Sequence, residues 1–194
     1  MRVFILFAHP FESSFNAAIH IRLVETLRAR GHEVDDCDLN ADGFDPVLSR
    51  QEWVDYHNVG VNDANVRPYV DRLLAAEALI LSYPVWNMGF PAILKGFLDR
   101  VFLPGVSFEI GADGSFAPKL HNIRRLGAVC TYGSGSWASL YLGDPPRHVV
   151  KRTLAALCAR RAPCDYLALY DMNRSKPEQR VAFLKKVEAA FGKW

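Results

Sequence analysis

The chain has 194 residues, of which half are hydrophobic and 23% charged, a composition that suits one globular domain over residues 1–194 with ample core. A formal net charge of +2 is too small a bias for a nucleic-acid-binding protein, and no apolar run approaches membrane-spanning length, so no membrane insertion is expected. Cys37, Cys130, Cys158 and Cys164 show no Cys-x-x-Cys spacing; they read as small buried hydrophobes in a reducing compartment, with the cytoplasm as the expected location and no metal site.

Val3–Phe7 is a short continuous apolar run stopped by Ala8-His9-Pro10, the pattern of a fully buried strand. Ser14–Arg30 carries helical periodicity through Ala18, Ile21, Val24 and Leu27, with Gly31 where a helix stop belongs. Glu33–Leu39 is a second, more polar strand and so belongs nearer an edge. Residues 46–60 are irregular, with one short helix around Gln51–Tyr56. Ala64–Ala76 predicts a helix, Glu77–Tyr83 a third strand and Pro91–Phe102 another helix. Pro104–Pro118, with three glycines, predicts an excursion built as a small hairpin. Arg125–Thr131 is the fourth strand. A helix follows from Pro145 or Pro146 to about Cys158, then a fifth strand at Cys164–Tyr170 and a closing helix at Pro177–Phe191. Regular β-α alternation predicts an α/β fold: a doubly wound, five-stranded parallel sheet in the flavodoxin-like order 2-1-3-4-5. In that order the loops after strands one, three and four meet at one crevice beyond the carboxyl edge.

Those three loops hold the candidate chemistry. His9-Pro-Phe-Glu-Ser-Ser-Phe-Asn16 opens a helix, whose first N–H groups and positive dipole end favour a phosphate. His9, Ser14 and Asn16 add side-chain donors; the plainer alternative is simple capping by Ser13 or Ser14. Tyr83-Pro-Val-Trp-Asn-Met-Gly-Phe90 is apolar where a connection is normally polar. It is either a buried core loop or a wall for a flat heteroaromatic ring, with N–H donors from Val85, Trp86, Asn87 and Met88. Thr131-Tyr-Gly-Ser-Gly-Ser-Trp137 has the small residues that let backbone N–H groups turn inward toward negative charge. Gly133-Ser-Gly135 lacks the Gly-x-Ser-x-Gly spacing of a nucleophile elbow, which sets a Ser-His-Asp hydrolase aside. Arg147, Lys151, Arg152, Arg160 and Arg161 read as a solvated face, with a site for a cofactor phosphate as the alternative.

At these loops the chain resembles the flavodoxin-like NAD(P)H:quinone oxidoreductases, the DT-diaphorase-like family. The carriers are His9-Pro-x-x-Ser-Ser-Phe-Asn16, the run from Tyr83-Pro-Val85 through Gly89-Phe-Pro-Ala-Ile-Leu-Lys-Gly-Phe-Leu-Asp-Arg-Val-Phe102, and Thr131-Tyr-Gly-Ser-Gly-Ser136. The resemblance implies a bound flavin, FAD or FMN, and a homodimer that shares its active sites. It implies that His9, Ser14, Phe15 and Asn16 hold the flavin phosphates, and that Pro84, Val85, Trp86, Asn87 and Met88 line the ring. Thr131, Tyr132 and Gly133 would meet the ring's opposite edge. The implied reaction is ping-pong: hydride from NAD(P)H to flavin N5, then two electrons to a quinone-like acceptor. The chain departs from the family pattern where better-known members place a Tyr-His proton relay: Ala138 and Asp144 stand there. Tyr132, Tyr141 and Asp144 are the candidates for that catalytic role. The 104–118 excursion is taken as a cover for an adenosine, which favours FAD.

Two other functions share the fold. An ancillary subunit of a potassium efflux system is the alternative to an enzyme. A one-electron carrier is disfavoured, because such carriers crowd acids around the flavin and these loops hold only Glu12.

Overall fold

A computed structural model describes all residues, 1–194. β1 (Arg2–Phe7) leads to α1 (Phe15–Ala29), then β2 (Glu33–Asp38), α2 (Arg50–Val54), α3 (Arg67–Ala75), β3 (Ala78–Val85) and α4 (Ala92–Val101). A hairpin follows, β4 (Phe108–Ile110) with β5 (Phe116–Pro118), and then β6 (Arg125–Tyr132) and α5 (Ser136–Tyr141). α6 (Pro145–His148) runs through a π-helical stretch, Val149–Leu154, into α7 (Ala155–Leu157). β7 (Cys164–Leu169), a 3-10 turn (Met172–Arg174) and α8 (Pro177–Phe191) finish the chain.

The sheet order is β2-β1-β3-β6-β7, every pairing parallel. With β6 and β7 as the fourth and fifth strands, this is the expected 2-1-3-4-5 topology, and the polar β2 is indeed at an edge. β1 from Val3 onward and β3, apart from Ser82, are apolar because both faces of the sheet are covered there. On one face α1 and α8 bury Ile19, Leu23, Phe183 and Val187 against Val3, Ile5 and Ile80. On the other, α3, α4 and the α6–α7 segment bury Val70, Phe97, Val150 and Leu154 against Phe4, Leu79 and Leu126.

Gly96 explains part of the long motif. A Cβ there would lie 2.2 Å from the Pro46 carbonyl oxygen, so α4 lies directly on Pro46. That contact is locked by Arg100, whose Nε and Nη2 donate to Glu52 Oε1 at 3.0 and 2.5 Å. Glu52 also closes a capping box with Ser49 at the start of α2.

Several boundaries move. The helix expected over Ala64–Ala76 begins only at Arg67, since residues 61–66 form turns and Pro68 sits in its first turn. β3 continues through Pro84 and Val85 to pair with Thr131 and Tyr132. β1 ends its pairing at Ser82, so the missing Pro84 N–H interrupts nothing on that side. α5 was not foreseen, and the helix after Pro145 is broken by the π-helical stretch.

Candidate active site

The three loops converge. His9, Ser14, Phe15 and Asn16 line one crevice of about 160 Å³ together with Pro84, Val85, Trp86, Thr131 and Gly133. It lies at the carboxyl edge of the sheet, where parallel topology puts every strand-to-helix loop. Met172 and Asn173 complete it. These two were missed: the loop after β7 leaves by the same edge, and that rule of parallel sheets was the signal that could have included it. A Cβ on Gly133 would meet Asn173 Nδ2 at 3.1 Å, so the glycine allows that close approach.

The first loop is built by its cap. Ser14 Oγ accepts the Ala17 N–H at 3.0 Å, which fixes the start of α1 and leaves the hydroxyl proton free to donate. The N–H groups of Phe15 and Asn16 have no acceptor in the chain. His9 Nδ1 accepts the Phe11 N–H at 3.1 Å, so the imidazole has a structural task that sequence reasoning did not give it. Burial lowers its pKa below the ordinary imidazole value. Asn16 is 3% exposed, its Nδ2 reaches Thr131 Oγ1 at 3.5 Å, and its Oδ1 is buried without a donor. Such an orphaned acceptor calls for a hydrogen-bond donor supplied by a ligand.

The second loop is a tight turn. Trp86 and Gly89 exchange both backbone hydrogen bonds, at 3.1 and 2.9 Å, and Asn87 and Met88 take φ of 49° and 57°. This corrects one expectation: the Trp86 N–H is spent on Gly89, while the Asn87 and Met88 N–H groups have no acceptor in the chain. Trp86 is 47% exposed, so the loop is no ordinary core segment. Its ring meets His9 edge-on at 6.0 Å. Asn87 and Met88 stand beyond the crevice lining, with Met88 Sδ 3.9 Å from Ser134 Oγ.

In the third loop, the N–H groups of Gly133, Ser134, Gly135, Ser136 and Trp137 have no acceptor in the chain. Successive unpaired donors of this kind form an anion-binding concavity.

Tyr132 and Asp144 are brought together, but behind the crevice. The Tyr132 hydroxyl donates to Asp144 Oδ1 at 2.5 Å and shares a 2.7 Å bond with the Tyr166 hydroxyl. Tyr170 donates to Asp144 Oδ2 at 3.1 Å, and Cys130 Sγ lies 3.2 Å from the Tyr166 hydroxyl. Burial first, then Cys130 and the bond to Asp144, raises the Tyr132 hydroxyl far above its ordinary range; burial likewise raises Tyr170 to about 12. Neither phenol releases a proton near neutral pH. Tyr141 is 84% exposed on α5 and reaches neither crevice nor network. The 104–118 hairpin lines a separate groove with His57 and Val59, so within the protomer it covers nothing at the crevice.

All four cysteines are free, and no cluster of His, Cys, Asp or Glu has the geometry of a metal site. No helix is long and apolar enough to cross a membrane.

Comparison with known proteins agrees with this geometry. The profile of the family described as having a flavodoxin-like fold matches residues 1–190. An uncharacterized NAD(P)H oxidoreductase of Haemophilus influenzae is 39% identical over 110 residues, covering 56% of this chain and 54% of that protein. NAD(P)H dehydrogenase [quinone] 1 of Rattus norvegicus is 32% identical over 203 residues, covering 95% of this chain and 74% of the rat protein. The chain thus spans about half the length of the bacterial relative and three quarters of the rat one. Among solved structures, Smu.1420 from Streptococcus mutans superposes over the full length of both chains, with a TM-score of 0.84 and 28% identity. These relatives give no support to the ancillary-subunit alternative, and the chain belongs to the flavodoxin-like NAD(P)H:quinone oxidoreductase family.

Proposed function

We propose that the chain is a flavin-dependent reductase that carries two electrons from NAD(P)H to quinones or similar acceptors. One observation supports this above the others: three loops distant in sequence place unpaired N–H donors, an orphaned buried amide oxygen and an exposed indole around a single crevice. That set fits a flavin. Ser14, Phe15 and Asn16 offer a hydroxyl and two N–H groups to a phosphate at the α1 terminus. The Asn16 Oδ1 suits a sugar-chain hydroxyl, a refinement of the phosphate role expected for it. Pro84, Val85 and Trp86 give a flat apolar wall.

A bound flavin supplies a ring that takes up a hydride and later gives up two electrons. The chain's part is to orient the reactants and steady the charge. The Asn87 and Met88 N–H groups stand on the β3 side and the Gly133–Trp137 N–H groups on the β6 side. Preset donors of this sort stabilise a developing negative charge without reorganising at the moment of reaction. Tyr132 and Asp144 act as a positioning pair: their bond ties β6 to the start of α6 and so holds the third loop in place. FAD and FMN share every group the crevice meets, and within the protomer the hairpin lies apart from it.

A homodimer in the cytoplasm completes the reading. A crevice of about 160 Å³ is well below the ~300–1,000 Å³ of sites that enclose a ligand, so the protomer grips one side of the ring and a second copy covers the other. Phe11, Trp86 and Trp137, one large exposed aromatic from each loop, form the rim that such a copy would cover. Four free cysteines suit a reducing compartment.

Purified protein is expected to be yellow and to oxidise NADH or NADPH when a benzoquinone or naphthoquinone is added. Mass spectrometry of the released flavin gives its identity. A colourless preparation that takes up neither FMN nor FAD would defeat the proposal.

A further inference from the structure

A second cavity, of about 640 Å³, lies across the Tyr132–Asp144 bond from the crevice and shares no lining residue with it. Its lining includes Arg147, His148, Lys151 and Arg152, with Leu140 and Asp144. The two hollows are neighbours: Asp144 lines this one, accepts the Tyr132 hydroxyl at 2.5 Å, and Tyr132 precedes Gly133 of the crevice. Arg147, Lys151 and Arg152 are unmatched. No ion pair or side-chain hydrogen bond in the chain engages any of them, although most other arginines have a carboxylate partner. The one carboxylate in the cavity, on Asp144, has its two oxygens taken by Tyr132 and Tyr170.

Like charges spaced four apart repel across a helix turn, and Arg147 and Lys151 form such a pair, with Arg152 beside them. They lie on and beside a π-helical stretch, Val149–Leu154, a backbone form that is rare and frequent at functional sites. Arg147 is held in place, its guanidinium carbon 5.7 Å from the Tyr166 ring centre, and Tyr166 shares the hydroxyl network under the crevice. A concave cluster of cations without anions suits a compact, multiply charged anion. Arginine's planar fork matches phosphate, and lysine adds a point charge. A long polyanion is a poorer match, since the chain's net charge is only +2.

We infer that Arg147, Lys151 and Arg152 bind the 2′-phosphate of NADPH, and so make this chain a reductase that prefers NADPH to NADH. The inference rests on the reductase reading, because it takes the nicotinamide end to lie at the crevice. NADH lacks this phosphate and differs from NADPH in nothing else, which makes the pair a clean probe.

The test uses flavin-loaded protein and the double substitution Arg147→Ala, Lys151→Ala. With a neutral benzoquinone as acceptor, the ratio of kcat/KM for NADPH to that for NADH should fall by about tenfold or more, the size expected when a phosphate loses charged hydrogen bonds. Titration calorimetry gives a readout that needs no turnover. Adenosine 2′,5′-bisphosphate should bind the wild type more tightly than 5′-AMP, and the double variant should lose that difference. An unchanged cofactor ratio, or equal binding of the bisphosphate by both proteins, overturns the inference. So does a loss confined to a sulfonated quinone, which would make the cavity an acceptor site, or retention of a nucleic-acid oligomer that 0.1 M salt does not release. Wild type that binds the bisphosphate through these residues yet oxidises neither cofactor would sustain the site and sink the reductase reading. Active enzyme with no such binding would do the reverse.

Discussion

Tyr132→Phe separates a structural from a catalytic role for the residue that the sequence offers as a proton donor. The substitution removes one oxygen and keeps the ring, so packing against β7 is preserved. Two hydrogen bonds disappear, one of 2.5 Å to the Asp144 carboxylate and one of 2.7 Å to the Tyr166 hydroxyl. A bond to a charged group contributes about 1.5–3 kcal/mol and a neutral one about 0.5–1.5 kcal/mol. Asp144 is 6% exposed, so water does not replace the lost donor, and only Tyr170 still donates to it. The expected loss is about 2–4 kcal/mol. For a chain of this size, ~1 kcal/mol moves Tm by about 2–4 °C, which predicts a drop of roughly 4–16 °C. Urea denaturation of flavin-free protein measures the first figure and a thermal scan the second. Because burial keeps the phenol protonated through neutral pH, the pH profile of kcat in the folded variant should match that of the wild type. A variant as stable as wild type to within ~0.5 kcal/mol, with a displaced pH profile, would refute this reasoning and restore Tyr132 as a catalytic acid.

Gly133→Trp should give a folded protein that no longer retains flavin absorbance after desalting, since an indole at that position takes up the crevice and displaces Asn173. Pro84→Arg should do the same from the opposite wall; retained flavin in both variants would misplace the ring. Gly96→Ala should destabilise by about 1–3 kcal/mol or more, because its Cβ meets the Pro46 backbone at 2.2 Å, where no rotamer change gives relief; an unchanged urea midpoint would contradict that packing. Burial raises the Glu52 pKa, but the Ser49 N–H and the Arg100 guanidinium outweigh it and hold the carboxyl below its ordinary value. Its contribution is therefore complete above the unfolded pKa of 4.5 and is lost as pH falls through the lower folded value. Glu52→Gln should accordingly flatten the acid limb of a stability–pH curve below about pH 4.5, and an unaltered limb would assign acid unfolding elsewhere. Arg100→Met, which strands the Glu52 charge in the interior, should cost about 3–5 kcal/mol in the same assay.

The sheet was legible because its three central strands are buried on both faces. Val3–Phe7 and Ala78–Leu81 read as short continuous apolar runs, each followed within a few residues by a proline, Pro10 and Pro84, a pattern that suits a buried strand. Once these and two edge strands alternate with helices, topology alone brings the first, third and fourth loops together. What stayed hidden depends on partners far away in sequence. Nothing local in Pro84-Val85 shows that β6 is long enough to extend β3 through them. The I′ turn at Asn87-Met88 was missed because both residues take positive φ without glycine at either position. α5 lacks a side-chain cap, and its Trp137, Leu140 and Tyr141 point to solvent, so no apolar face marks it as a helix. Asp144 carried no sign of the two phenols that hold it, since Tyr170 lies 26 positions on.

The placement of that carboxylate bears on how the fold divides its labour. Asp144 sits at φ 43°, a left-handed conformation that costs a non-glycine residue about 1 kcal/mol or more. Its N–H donates to Ser139 O at 2.8 Å, and its two oxygens receive Tyr132 and Tyr170. The strained residue is thus tied on three sides, to α5, β6 and the end of β7. A rigid post results, and it stands between the two hollows. In the proposed reading, the Gly133–Trp137 donors must keep their direction on one side to serve a ring, and Arg147 must keep its own on the other to serve a phosphate. Fixing both from one buried carboxylate, its two oxygens already taken by Tyr132 and Tyr170, holds the two groups of donors at a set separation.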